Sequence, residues 1–75
     1  MMINKEELIK ILDEGKTITL IGIKGHEWQT EYWEKKEGYV NPYQCSYDGE
    51  SSENFSKEDL EFAFCPEEAE EIEIR

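Results

Sequence analysis

Basic residues are scarce in this chain. Eight Lys and Arg stand against nineteen Asp and Glu in 75 residues, a formal net charge of −11. That balance argues against nucleic acid as a direct ligand, because phosphates would be repelled, and it equally disfavours an anionic membrane surface. Cysteine is limited to Cys45 and Cys65. Two cysteines make no disulfide framework, and reduced thiols of a cytoplasmic protein are the expectation. Long apolar runs are missing too: nothing approaches the roughly 20 residues of a membrane helix, and charges break up Met1–Leu12 where a secretory core would lie.

Chemistry-bearing motifs are equally thin. Gly22-Ile23-Lys24-Gly25 lacks both the length and the trailing Ser or Thr of a phosphate loop. Asp48-Gly49-Glu50-Ser51-Ser52-Glu53 is acidic but lacks the alternating ligands of an EF-hand loop. His26 is the only histidine, and its spacing from Cys45 and Cys65 fits no structural zinc pattern. Neither thiol has a helix N-terminus or a cationic neighbour to activate it. The expectation is a chain with no catalytic residues, no metal and no cofactor.

What is present is a lopsided charge distribution and a good supply of aromatics. Eleven acids follow Tyr47, with Lys57 and Arg75 the only bases there, so nine of the eleven net negative charges lie in the last 28 residues. Two Trp, four Tyr and three Phe suffice for one small core, and wholesale disorder is not expected. At this length a single domain with a modest core is expected.

The pattern predicts an α+β fold. A first helix spans about Lys5 to Glu14: Asn4 is the N-cap, Glu7 occupies the capping-box position, Leu8, Ile11 and Leu12 share a face, and Gly15 supplies the stop. Thr17–Ile23 reads as a strand whose phase slips after Leu20, so it is either central or bulged near Gly22. Strands over about Glu27–Glu34 and Tyr39–Tyr47 complete a three-stranded antiparallel meander, with Pro42 placing the third at an edge or interrupting it. Asp48-Gly49 marks a turn, and Glu50–Phe55 is a short strand or a loop. Ser56, Asp59, Phe55 and Leu60 then form a capping-box-like start with a hydrophobic staple, opening a short second helix to about Phe64. Ile72 and Ile74 alternate with Glu71 and Glu73, marking a candidate C-terminal strand, with a continued helix as the competing reading. Both helices are expected on one face of the sheet.

Two constellations are candidate binding surfaces. Glu58, Asp59, Glu61, Glu67, Glu68, Glu70, Glu71 and Glu73 form an acidic tract. Duplex DNA carries one charge per roughly 1.7 Å of axis, and residues advance by about 1.5 Å in a helix and 3.3 Å in a strand. Dense carboxylates on either element approach that charge density, so the tract can imitate phosphates to a basic partner. The plainer reading is that the acids only keep a small protein soluble. The second constellation is aromatic. Trp28, Tyr32, Trp33, Tyr39, Tyr43 and Tyr47 occupy both strand faces, and Trp33, out of phase with Trp28 and Tyr32, is the expected exposed anchor.

The stretch from Ile3-Asn4 through Gly22, with the order helix, three strands, helix, resembles the layout of small acidic phage anti-CRISPR proteins. These inhibit an RNA-guided nuclease by imitating the DNA of its protospacer-adjacent site. The resemblance implies that the Glu58–Glu73 region is the working surface and that the target is a host nucleic-acid-binding enzyme. It assigns no role to any single residue. The expectation from the sequence is a non-enzymatic, cytoplasmic protein-binding module, an inhibitor or regulator that occupies a basic surface of a partner protein. The alternative is an assembly protein that self-associates through exposed aromatics such as Trp33. The sequence does not set the oligomeric state.

Overall fold

Local signals place the first helix, α1 (Lys5–Asp13). The Asn4 side chain accepts a hydrogen bond from the Glu7 N–H at 2.8 Å, a cap that contributes about 1 kcal/mol. Gly15 adopts φ 94°, which lets the Gly15 and Lys16 N–H groups return to Leu12 and Ile11 and ends the helix. Four strands follow: β1 (Ile18–Ile21), β2 (Glu31–Lys35), β3 (Tyr43–Tyr47) and β4 (Ser51–Phe55). The second helix, α2 (Lys57–Ala63), is capped by Ser56, whose hydroxyl accepts from the Asp59 N–H at 3.2 Å. A 3₁₀ turn (Pro66–Glu68) leads into β5 (Glu71–Ile74). This computed structural model describes residues 4–47 and 51–75; the expected Asp48-Gly49 turn lies outside the described residues.

All five strands form one antiparallel sheet in the order β4-β3-β2-β1-β5. The meander is therefore longer than the three strands expected. Ser51–Phe55 is a true strand at one edge, and the Ile72/Ile74 alternation is the strand at the other. Directly paired residues share a face of the sheet. One row across the sheet is Ile74, Ile18, Trp33, Cys45 and Glu53; the next is Glu73, Thr19, Tyr32, Ser46 and Ser52. The first row faces the helices. Leu8, Ile9 and Leu12 of α1 and Leu60 of α2, with Phe64 just beyond it, form one core with Ile18, Leu20, Ile23, Trp33, Tyr43 and Cys45. The second row is polar and is left open on the far face.

Three boundaries differ from the sequence reading. The strand expected from Glu27 begins only at Glu31, because Gly25–Gln29 is folded into turns with His26 N–H donating to Ile23 O and Gln29 N–H to His26 O. The strand expected from Tyr39 begins after Pro42, which interrupts it, yet β3 lies inside the sheet and not at an edge. The phase slip after Leu20 resolves at Gly22. Its φ of 68° re-aims the chain, so that Ile23 rejoins the core while Ile21 sits on the far face.

One polar cluster joins four elements beneath the core. Asp13, the last residue of α1, accepts from the Tyr43 hydroxyl at 2.6 Å and lies 3.3 Å from Lys57 Nζ and 3.5 Å from Lys35 Nζ. Burial alone would raise the Asp13 carboxyl. The Tyr43 and Lys57 hydrogen bonds and the two nearby ammonium groups outweigh it and hold Asp13 below the usual carboxylate range. An acid in the last helical turn opposes the helix dipole, and these partners compensate it.

Candidate functional site

The acidic tract is distributed by the elements that carry it. Glu58 and Asp59 lie in the first turn of α2 and Glu61 in its second; Glu67 and Glu68 lie in the 3₁₀ turn, and Glu70 enters β5. Glu71 and Glu73 pair with Ile21 and Thr19, which directs them to the far face of the sheet. All eight side chains are exposed. The fold therefore separates the tract into a group in the helical layer (Glu58, Asp59, Glu61, with Glu67 and Glu68 following) and a pair on the open sheet face (Glu71, Glu73), with Glu70 at the junction just before β5.

Few cations approach these groups. Among the described residues the only ion pair within the tract is Glu73 with Arg75 at 3.3 Å. Lys35 and Lys57 are drawn to Asp13. Lys5 donates to the backbone carbonyl of Glu61 and not to its carboxylate. The tract is thus a largely unneutralised surface, a property that sequence order alone does not settle.

Trp33 does not belong to the exposed set. It is 1% exposed, packs edge-on against Phe64 at 5.1 Å between ring centroids, and donates its indole N–H to Glu31 Oε1 at 2.9 Å. The expectation that it anchors a partner is overturned. β2 turns Trp33 to the helices and Tyr32 to the open face, and Trp28 precedes the strand altogether. The exposed aromatics are Trp28 (77%), Tyr39, Tyr32 and Phe62 (84%). Phe62 was not singled out by the sequence reading. Its signal was positional: the inward positions are Leu60 in α2 and Phe64 just beyond its end, and a helical residue midway between them faces outward. Four residues apart, Glu58 and Phe62 share one outward stripe of α2, which places an apolar ring among carboxylates.

The open face carries a shallow groove of about 560 Å³ lined by Thr17, Thr19, Tyr32, Glu34, Glu73 and Arg75, among others. Its polar groups are hydroxyls and carboxylates, together with Arg75.

Burial, followed by the Glu31 charge, pushes the Cys45 thiol up to about 12, and Cys65 is raised by burial and by Glu67. Both are held as thiols, the inert form. Glu31 is raised by burial, against the lowering effect of the Trp33 indole bond. His26 lies in a turn with its ring 5.5 Å from Trp28. No group of three or more metal-ligating side chains gathers among the described residues, and none of their helices is long and apolar enough to cross a membrane.

Comparison with known proteins identifies no relative: no family model, no curated protein and no solved structure matches this chain.

Proposed function

We propose that this chain is a non-catalytic protein-binding module that occupies a basic, nucleic-acid-binding surface of a partner protein in the cytoplasm, as an inhibitor or regulator. The observation that carries this reading is the state of the acidic tract. Eight exposed carboxylates face solvent with one ion pair among them, while Lys35 and Lys57 pair with Asp13 instead. Acids that served only solubility would function equally well in scattered exchange with lysines. A surface left unneutralised in one third of a chain generates a directed field that draws a cationic partner and speeds its approach. Phe62 supplies the apolar contact that charge alone does not, since binding free energy concentrates at buried aromatic anchors.

The resemblance of the sequence's helix, strand and helix order to phage anti-CRISPR proteins suggests the target class, a nucleic-acid-binding enzyme whose basic groove normally holds phosphates. The test is competitive. Proteins from a bacterial lysate are retained on the immobilised chain and then challenged with duplex DNA and with salt. The expected result is a retained protein that DNA displaces and that releases steeply as ionic strength rises. Retained proteins that ignore both DNA and salt would remove the phosphate-imitating reading.

A second reading, self-assembly through exposed aromatics, loses its first anchor with the burial of Trp33 and passes to Trp28, Tyr39 and Phe62. Sedimentation of the purified chain, with and without Phe62→Ala, decides it.

A further inference from the structure

The two edges of the sheet are not alike. At one edge, β4 carries Glu53 in the row that faces the helices, paired with Cys45. An inward-pointing charge on an edge strand is a device that blocks further strand pairing. At the other edge, the corresponding positions of β5 are Ile72 and Ile74, each 37% exposed and paired with Leu20 and Ile18 of the core. Residues 71–74 contain no proline and no lysine, and their register with β1 is continuous, without a bulge.

The backbone phase of β5 is set by its partner. Thr17 and Arg75 exchange both hydrogen bonds at 2.9 Å. In an antiparallel ladder such pairs alternate with pairs that make none. Thr19 with Glu73 is therefore the next bonded pair, and Ile74 and Ile72 are the residues whose N–H and C=O groups point away from β1, to the free edge. The same two residues hold their side chains half-exposed on the helix side, while Glu71 and Glu73 stand on the open face.

We propose that β5 is a docking edge for an extended cationic segment of the partner, one that adds a sixth strand by pairing with Ile72 and Ile74. This rests on the basic-partner reading above and deepens it. Charge complementarity selects the occupant. A guest strand that alternates basic and apolar residues sets its basic side chains beside Glu71 and Glu73, and its apolar ones beside Ile72 and Ile74, while the main chains supply the hydrogen bonds. Arg75 partly screens Glu73, but an exposed pair of this kind is weak and exchangeable. A second copy of this chain is a poorer occupant, because it would bring another net −11 to the same edge.

The test uses the full chain with two synthetic hexapeptides of identical composition, one alternating Lys and Val, the other with its Lys and Val in separate blocks. Backbone amide exchange is followed residue by residue by NMR. The expected result is that the alternating peptide binds more tightly than the block isomer and slows exchange at the Ile72 and Ile74 amides. Ile74→Pro, which removes an outward N–H without touching the β1 ladder, should weaken that binding by about fivefold or more, the equivalent of one lost hydrogen bond. The wild-type exchange measurement carries the test even where the proline variant does not fold. Equal binding of both peptides, or protection confined to α2, would overturn the docking edge while leaving the basic-partner reading standing. No binding of either peptide would overturn both. A salt-stabilised dimer of the chain alone that protects Ile72 and Ile74 would assign the edge to a second copy and overturn the cationic occupant.

Discussion

Individual side chains in this protein are sorted by which face of a short element they land on, and two substitutions read that sorting directly. Trp33 fills the centre of the core against Phe64 and Phe55. Trp33→Ala should cost about 3–5 kcal/mol in a denaturation experiment, whereas Phe62→Ala, on the solvent side of α2, should stay within about 0.5 kcal/mol. The sequence could not separate Trp33 from its neighbours Trp28 and Tyr32. Aromatics occupy both parities from Trp28 to Trp33, so alternation alone leaves the inward parity undecided until the turn at Gly25–Gln29 fixes where β2 begins. Glu31 gives a pH-dependent counterpart. Burial raises its carboxyl despite the Trp33 bond, so the folded state favours the protonated form. Its contribution is therefore most favourable below the ordinary glutamate value and is lost as pH rises through the raised folded value. Glu31→Gln, which keeps an acceptor for the indole, should raise the melting temperature at neutral pH, with the advantage shrinking as pH falls. An advantage independent of pH would contradict burial as its cause.

At the level of elements, the helix starts were the most legible features because caps are local chemistry. Asn4 with Glu7 and Ser56 with Asp59 form the capping bonds that their spacing implies. Both helices cover one face of the sheet, as an amphipathic pair must. The strands were less legible because pairing is not local. Nothing in Glu50–Phe55 distinguishes a strand from a loop until β3 offers it a register, and β5 is defined by its return to β1 across the intervening helix. The Asp13 cluster was missed for the same reason, although an acid at a helix C-terminus was its available sign. Gly22 is where the return of β5 constrains the chain most. With φ 68°, a Cβ at this position would meet Glu70 Oε2 at 2.7 Å, and the Glu70 N–H donates to Ile21 O at 2.9 Å. Gly22→Ala should cost about 1–2 kcal/mol, and amide exchange in β5 should rise before exchange in β2 and β3. Uniform loosening of the whole sheet would show that Gly22 does not control the edge.

For the whole molecule, the governing quantity is an acid excess that the fold leaves exposed. Like charges clustered on a compact surface repel, so moderate salt should raise the melting temperature by screening them; a flat or falling response would mean that the charges are already compensated. The division of the tract between the helical layer and the open face follows from topology. The chain leaves α2 near one edge of the sheet and returns as β5 at the opposite edge, carrying its acids around the molecule. The proposed partner accordingly meets carboxylates along a path from α2 through the 3₁₀ turn to β5. The central claim is that this path binds a basic surface and does more than keep the chain in solution. The most direct measurement is the affinity of the DNA-displaceable partner for the wild-type chain and for the Glu67→Lys, Glu68→Lys, Glu70→Lys, Glu71→Lys quadruple variant, with circular dichroism verifying the fold of each. The account predicts that binding disappears in the variant while its spectrum is unchanged; undiminished affinity in a folded variant would contradict it.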